Sequence, residues 1–429
     1  MENPQEKQIL DIVTDYYFSS GDFNGITVSQ LIKMSKLKYQ DIKKLVTKLI
    51  MSNEIALISS ISEINPHIIR TGFREKKQQA SELKKTNIDH TCLYPTPNTL
   101  KNRVVIDDYR DSPYKLELAL GKPKLELCFF ELQTLEFYRN DPRYYYSCND
   151  IGGSICIKDE HYHDVELDDK DKVLLKAFGF AYDNEQNRYV TAFLCDLAKL
   201  SPEHQMIWKA KSVQKSLKVH PDFYGAQVLG IWPQHISIFD AVLHEQRIIN
   251  DMTEAMGKTF LFKKTYGTFL EDKPIDFSFL IRPTVQEFDS FIHLLDKLMS
   301  DNINKKFFKG DIPLEIEETR ADGKILVTQK GTISLLDEWL RAHYKTSDWE
   351  PWIFAIGVFK KIRKKRQAPA HDITQNEFNN KYAKDQRELM KEVYEALTIL
   401  RHALEGHPLC RGKDFDIPES LNSGKIWTM

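Results

Sequence analysis

The residues best suited to chemistry are Arg366 and His371, in the segment RKKRQAPAHDITQNE at positions 363–377. An arginine guanidinium can hold two oxygens of one phosphate and stabilise the charge that develops on it. A histidine that titrates near neutral pH can move a proton to or from a 2′-hydroxyl or a leaving 5′-oxygen. The pair is therefore suited to cleaving a phosphodiester in RNA.

The spacing of an arginine and a histidine is weak evidence when taken alone. A chain this rich in both residues is expected to contain such a spacing by chance, and Arg401 with His407 is another example. What distinguishes Arg366 and His371 is the predicted context: Arg366 ends one helix, and a capping box of Thr374 and Glu377 starts the last one.

This context predicts that both side chains lie at one end of an antiparallel helix pair. The helix N-terminus at this end carries a partial positive charge, which favours the binding of a phosphate. The alternative is structural: Arg366 caps carbonyls of its own helix, Pro369 shapes the turn, and His371 hydrogen-bonds near the next helix.

The elements around the pair are mainly helical. Periodic apolar residues predict helices throughout residues 228–410, and capping boxes at Thr284 with Glu287 and at Ser347 with Glu350 mark two helix starts. A hairpin is predicted around Asp322 and Gly323. Short connections between long helices favour antiparallel packing, so this region is predicted to be a helical bundle.

An Arg-x4-His motif followed by a long terminal helix resembles the HEPN superfamily. The resemblance covers roughly residues 230–405 and is specific around 363–405. It implies a metal-independent endoribonuclease in which Arg366 binds the scissile phosphate and His371 acts as acid or base, with support from Arg363. It also implies a homodimer with two facing motifs. The family commonly has Asn, Asp or His after the arginine, whereas this chain has Gln367.

A second predicted module lies at the N-terminus. Helices are expected over about residues 5–18, 27–37 and 39–53, with Thr27 as a helix cap, and two strands within 54–70. This is the element order of a winged helix-turn-helix. The third helix would enter the major groove, and basic side chains would contact phosphates: Lys36, Lys38, Lys43, Lys44, Lys48 and Arg70. The alternative is a winged helix used for packing or protein contact.

Between these modules the chain is β-rich. Strands are predicted in KLELCFFEL, GSICIKD, KVLLKAFGFAY and RYVTAFLCDL, the last two paired across the turn DNEQN. Histidines and carboxylates that resemble metal ligands cluster in this region, at His161, His163, Asp164, Asp168 and Asp169. An acidic surface loop is the simpler interpretation of this cluster. No metal or other cofactor is predicted.

The composition is that of a soluble globular chain of 429 residues, with 28% charged residues and a net charge of −2. The charge excludes a globally cationic nucleic-acid coat. The absence of a hydrophobic leader, of long apolar runs and of C-x-x-C pairs predicts a cytoplasmic location and no membrane partner.

The sequence therefore predicts an α+β multidomain chain with an N-terminal winged helix-turn-helix, a β-rich middle domain and a C-terminal HEPN-like α-helical bundle. The expected function is a nucleic-acid-directed effector of a bacterial defence or stress system, with RNA or DNA as partner. The alternative is a non-enzymatic DNA-binding regulator whose bundle dimerises or senses a ligand. The expected segments are a winged helix, a spacer, the β-rich domain, the bundle and a tail, at 1–72, 73–103, 104–227, 228–410 and 411–429.

Overall fold

The structure is a computed structural model, and it shows a chain of the mixed α+β class in which helix exceeds strand. The residues that it describes are 3–163, 169–267, 270, 272–319, 325–367 and 375–428.

The chain forms two compact units. Unit 1 consists of Met1–Tyr146 and Ser154–Lys218, and unit 2 consists of Ser147–Gly153 and Val219–Met429. The division into five segments expected from the sequence stays a prediction.

The N-terminal part of unit 1 combines three helices with a three-stranded antiparallel sheet of order β1-β3-β2. Its elements are α1 (Pro4–Ser19), β1 (Ile26–Thr27), α2 (Val28–Ser35), α3 (Tyr39–Met51), β2 (Ile55–Ser59), α4 (Lys76–Lys85) and β3 (Thr91–Pro95). The three predicted helices are confirmed. They form because their apolar stripes, such as Ile9 with Val13 and Ile42 with Val46, meet in one buried cluster. The predicted cap Thr27 is also confirmed, in a capping box with Gln30.

The predicted second strand of the ribbon is wrong. Residues 61–72 form no strand, and β2 pairs instead with β3, which lies in the segment predicted to be a spacer. The intervening helix α4 packs against β2 and α3. The amide of Leu57 donates to the Gln79 side-chain oxygen at 2.7 Å, and the Ser59 hydroxyl donates to Glu82 at 2.6 Å. Helix α4 thus covers the free edge of the sheet.

The rest of unit 1 is built on an antiparallel sheet with the strand order β4-β8-β7-β6-β5 and with β9 beside β7. The predicted β7–β8 hairpin is confirmed, with Phe180 opposite Val190, and the Asp183 carboxylate closes its turn by accepting the Asn187 amide at 2.9 Å. The elements are α5 (Pro97–Leu100), α6 (Pro113–Ala119), β4 (Leu127–Phe130), α7 (Glu136–Arg139), β5 (Tyr144–Cys148), β6 (Gly152–Ile157), α8 (Asp159–Tyr162), β7 (Leu174–Tyr182), β8 (Arg188–Phe193), α9 (Leu194–Leu197), α10 (Pro202–Ala210) and β9 (Lys218–Val219).

Unit 2 is mainly helical. Helix α16 packs against α12 and α15, and α15 packs against α13. A buried ion pair joins Glu245 of α12 to Arg401 of α16 at 2.7 Å. The elements are α11 (Pro221–Tyr224), β10 (Ile236–Ser237), α12 (Ile238–Ala255), α13 (Val285–Leu298), β11 (Glu315–Thr319), β12 (Ile325–Gln329), α14 (Thr332–His343), α15 (Glu350–Gln367), α16 (Lys381–Glu405), α17 (Glu419–Asn422) and β13 (Ile426–Trp427).

The last long helix begins later than predicted. Helix α16 starts at Lys381, not just after Thr374. The reason is tertiary pairing: Phe378 forms a β-bridge with Thr284, and the Val285 amide donates to the Glu377 carbonyl at 3.0 Å. The backbone before the helix is therefore held extended against the start of α13.

The other predicted features of unit 2 are confirmed only in part. Thr284 caps α13 as predicted, but the Glu287 carboxylate accepts the amides of Ile281 and Arg282. Asp348, not Ser347, accepts the amide of Glu350 at the start of α15. The predicted hairpin is confirmed as β11 and β12, whose turn at Asp322 and Gly323 lies outside the described residues. Among the described helices, none has the length and apolar character needed to cross a membrane.

Candidate functional site

Two arginines of the predicted site share a pair of carboxylates at the end of α15. Arg366 Nη1 donates to Asp296 at 2.6 Å and to Asp301 at 2.7 Å. Arg363, one turn earlier, donates to Asp296 at 3.1 Å and to Asp301 at 2.6 Å. Because Asp296 has no exposed side-chain surface, its charge must be balanced by these guanidinium groups.

The carboxylates fix Arg366 without using all of its donors. Among the described residues, Arg366 Nε and Nη2 have no hydrogen-bond partner, and 28% of the side chain is exposed. The two aspartates raise the pKa of Arg366 further above its ordinary range. Burial acts to raise the pKa of Asp301, but hydrogen bonds and charge from Arg363 and Arg366 outweigh it, and the pKa lies below its ordinary value. The arrangement is a permanently charged, oriented cation whose Nε and Nη2 donate to no group in the part of the chain that the structure describes.

The two aspartates were missed by reasoning from sequence. Asp296 lies one turn after Ile292 and two turns after Phe288, so it falls on the buried face of α13. A carboxylate on an otherwise apolar helical stripe requires a cationic partner. This pattern in the sequence could have predicted a cationic partner for Asp296. In the structure Arg363 and Arg366 are its partners.

Of the two remaining residues of the predicted site, the structure describes Gln367 but not His371. Gln367 is exposed and is the last residue of α15. His371 lies outside the described residues. The helix start predicted just after Thr374, which placed His371 beside a helix N-terminus in the sequence analysis, is wrong, because α16 begins at Lys381.

The other arginine–histidine spacing is engaged in the bundle. Arg401 is buried against Glu245, and the Glu245 side chain also accepts the Thr398 hydroxyl at 3.2 Å. His407 accepts the Leu409 amide at 3.3 Å. Only 4% of the Arg401 side chain is exposed, compared with 28% of Arg366, so Arg366 is the stronger candidate.

The predicted nucleic-acid contacts lie mostly on α3 and at its start. Lys36, Lys38, Lys44 and Lys48 are exposed, with Lys44 and Lys48 one turn apart on α3. Lys43 is half-buried, and its ammonium lies 5.7 Å from the Tyr39 ring centre.

Two of the predicted contacts take part in ion pairs. Lys48 contacts Glu6 at 2.7 Å while 67% of its side chain stays exposed. Arg70 contacts Glu63 at 3.5 Å and is three-quarters covered. Because residues 61–72 form no strand, Arg70 does not directly follow a two-stranded ribbon as predicted, and it lies between β2 and β3.

Four further basic residues lie on α4, which the sequence analysis had treated as a spacer. Lys76, Lys77, Lys84 and Lys85 are exposed, while Gln79, Glu82 and Leu83 face the sheet. The signal was present in the sequence, because two lysine pairs eight residues apart lie on the same face of a helix. Helix α4 packs against α3, so its four exposed lysines belong to the same part of unit 1 as the lysines of α3.

The histidines of the middle region have local partners. His161 Nε2 lies 3.5 Å from Glu160, and the His163 ring packs edge-on against Tyr162. Asp169 pairs with Lys172, and Asp164 and Asp168 lie outside the described residues. Within the described ranges, no group of three or more His, Cys, Asp or Glu residues could hold a metal ion.

Comparison with protein-family models, with curated proteins and with solved structures gives no match to this chain.

Proposed function

We propose that residues 3–95 form a winged helix-turn-helix that binds double-stranded nucleic acid through α3. The observation that carries the proposal is the order helix, strand, helix, helix, strand, helix, strand, in which α4 lies between β2 and β3 and the sheet order is β1-β3-β2. In that architecture the second helix of the helix-turn-helix lies in the major groove. Here that helix is α3, which follows α2 after a short turn at Lys36–Lys38.

The charge of this surface supports the proposal. Six lysines and one aspartate lie between residues 33 and 48, although the whole chain has a net charge of −2. The ion pair of Lys48 with Glu6 is exposed, and such pairs contribute about 0–1 kcal/mol, so a phosphate can replace Glu6. No arginine on α3 is available to read guanine, so the expected contacts are mainly to phosphates and weakly dependent on sequence.

Salt-dependent binding tests this proposal. Fluorescence anisotropy would be measured with labelled DNA and RNA duplexes over a range of salt concentrations. Replacing two exposed lysines, in Lys38→Glu with Lys44→Glu, should weaken binding and reduce the slope of log K against log salt by roughly two.

The matched control reverses two exposed lysines elsewhere in unit 1, in Lys176→Glu with Lys218→Glu. The change in net charge is the same, so this variant should bind as the wild type does. Equal weakening by both variants, or no duplex binding by the wild type, would contradict the proposal.

A second candidate function, an endoribonuclease of the HEPN type, is favoured by the carboxylate-held Arg366. In this mechanism the 2′-oxygen attacks the adjacent phosphorus, loses its proton to a base, and the protonated 5′-oxygen leaves. Arg366 would bind the phosphate through Nε and Nη2, with Asp296 and Asp301 as positioning residues, and His371 would move the proton. The products would be a 2′,3′-cyclic phosphate and a 5′-hydroxyl.

Cleavage of RNA in EDTA tests this candidate. Wild-type protein should cut, and Arg366→Ala and His371→Ala should each lower the rate by at least about a hundredfold. The control is His402→Ala, since His402 is an exposed histidine of α16 that pairs with Glu405. Cleavage by His371→Ala at the wild-type rate would overturn the assignment.

A further inference from the structure

Unit 1 contains a cavity of about 510 Å³ that neither proposed function uses. Its wall is formed by the turn after α1, by α6, by the start of β4 and by the α9–α10 connection. The volume lies in the range of small-molecule sites, about 300–1,000 Å³. The charged side chains that line the cavity are Asp22, Lys115, Lys124 and Lys199.

Lys124 is the deepest of these cations. Only 9% of its side chain is exposed. Its ammonium donates to the Asn24 side-chain oxygen at 3.0 Å, and the Asp22 carboxylate is 3.9 Å away, beyond hydrogen-bond distance. An ammonium has three N–H donors, and a buried charge is costly unless it is paired. Among the described residues no other group accepts from Lys124, so this buried ammonium keeps N–H donors for which the protein supplies no acceptor.

The backbone fixes Lys124 in this position. Its amide donates to the Ile69 carbonyl at 2.7 Å, and its carbonyl accepts the Cys195 amide at 3.0 Å. The opposite wall is held by Gln205, whose buried side chain accepts the Tyr114 amide and donates to the Leu200 carbonyl. Backbone hydrogen bonds at Lys124 and side-chain hydrogen bonds at Gln205 therefore fix two parts of the lining.

The charges of the wall indicate the class of ligand. Three lysines face one aspartate, which leaves an excess of two positive charges. A phosphate monoester carries a charge of about −1.5 to −2 at neutral pH, and lysine binds phosphate as a point charge. The apolar wall offers a surface for a ring, through Phe23, Ile68, Leu118 and Leu125.

We propose that this cavity binds a small organic phosphate of mononucleotide size, with its phosphate on Lys124 and its ring against the apolar wall. Lys115 and Lys199, both exposed, lie at the rim and attract the anion. The proposal is independent of duplex binding by α3 and of RNA cleavage at Arg366.

Calorimetric titration of the full chain with AMP, GMP, CMP and UMP tests the site. At least one nucleotide should bind, its nucleoside should bind at least tenfold more weakly, and inorganic phosphate should bind more weakly than the nucleotide. Lys124→Met should weaken nucleotide binding by about ten- to a hundredfold, because a hydrogen bond between charged groups is lost.

The matched control is Lys122→Met. Lys122 is two residues away, half-exposed and paired with Glu117 and Glu126 outside the cavity, so nucleotide affinity should stay within about twofold of wild type. A rim variant, Lys199→Met, cannot disturb the core and should weaken binding severalfold. The proposal is overturned if no nucleotide binds to the wild type, or if Lys124→Met and Lys199→Met both bind as the wild type does.

Discussion

The buried carboxylate of Asp296 in α13 holds two arginine side chains beside it. It is fully covered, and it accepts hydrogen bonds from both Arg363 and Arg366. Either arginine alone can still donate to its carboxylate, because Arg363 and Arg366 each contact Asp296 directly. The loss of both leaves an uncompensated carboxylate inside the unit, which typically costs 3–5 kcal/mol.

We therefore expect strong non-additivity between these two arginines. Arg363→Met and Arg366→Met should each lower the free energy of unfolding by about 1–2 kcal/mol. The double variant should lose at least about 1 kcal/mol more than the sum, as measured by urea denaturation. Replacing Asp296 by Asn in the double variant should recover part of that loss. Simple additivity would show that Asp296 does not depend on the pair.

His204 provides the second prediction at this scale. Its ring is 1% exposed, with Nδ1 2.8 Å from the Tyr138 hydroxyl oxygen and Nε2 3.4 Å from Asp171. Since the Trp208 indole donates to that hydroxyl oxygen at 3.0 Å, the hydroxyl proton points to His204 Nδ1. The ring is thus held neutral, with its own proton on Nε2, and burial lowers the pKa of His204 despite the nearby Asp171.

A histidine with a lowered folded-state pKa binds its proton more tightly when unfolded. Its contribution to stability is complete above the unfolded pKa of about 6.5 and is lost as the pH falls below that value. Urea denaturation between pH 7 and pH 5 should show this loss, and His204→Asn should reduce the slope by up to about 1.4 kcal/mol per pH unit. An unaltered slope in His204→Asn would contradict the prediction.

At the scale of elements, helix α4 covers the edge of the β1-β3-β2 sheet. Strand β2 is at the edge of its sheet, and an exposed edge invites pairing with other chains. The Gln79 side chain occupies part of this edge by accepting the Leu57 amide, and its own amide donates to the Arg74 carbonyl at 2.6 Å. The Gln79 side chain therefore supplies the hydrogen-bond acceptor that a neighbouring strand would supply to the Leu57 amide.

Removal of this side chain should leave the Leu57 amide without a partner. We expect Gln79→Ala to lower the free energy of unfolding by about 1–3 kcal/mol and to speed hydrogen exchange at Leu57. The neighbouring Gln78→Ala is the control, because Gln78 is exposed on the other face of α4. If both variants exchange at the same rate at Leu57, the side chain does not protect the edge.

The elements also show how far sequence reasoning reaches. Local signals predicted α1, α2, α3 and the β7–β8 hairpin, because apolar periodicity and turn residues act within one element. The strand β3 and the late start of α16 were not predicted. Both depend on pairing with distant backbone, at β2 and at Thr284, which no local pattern records.

The candidate sites follow the same rule. The lysines of α3 and the position of Arg366 at a helix end follow from local periodicity. The partners of Arg366 and the cavity around Lys124 are brought together by tertiary packing. For Lys124 no spacing in the sequence distinguishes it from Lys122, although one is buried and the other is half-exposed.

At the scale of the whole molecule, the chain enters unit 2 twice. Residues Ser147–Gly153 belong to unit 2 although unit 1 continues from Ser154. Within this segment Asp150 is buried, and its carboxylate accepts the hydroxyl of Ser237, the residue that caps α12. The early segment therefore stabilises the start of a helix almost ninety residues later in the chain.

Asp150→Ala should loosen the start of α12. The lost hydrogen bond to a charged group predicts a decrease of about 1–3 kcal/mol in local stability, visible as faster hydrogen exchange in the first turn of α12. Amides of the β7–β8 hairpin in unit 1 serve as the internal reference and should keep their rates. Equal acceleration in both places would indicate global destabilisation and contradict the local role.

The double entry of the chain into unit 2 has a consequence during synthesis. When residue 153 has just been added to the chain, about 250 residues must still follow before α16 is complete. At 5–20 residues per second, this takes on the order of 12 to 50 s. Throughout the early part of that interval Asp150 has no Ser237 to bind. The nascent chain therefore contains a segment of unit 2 whose partner at the start of α12 has not yet been synthesised.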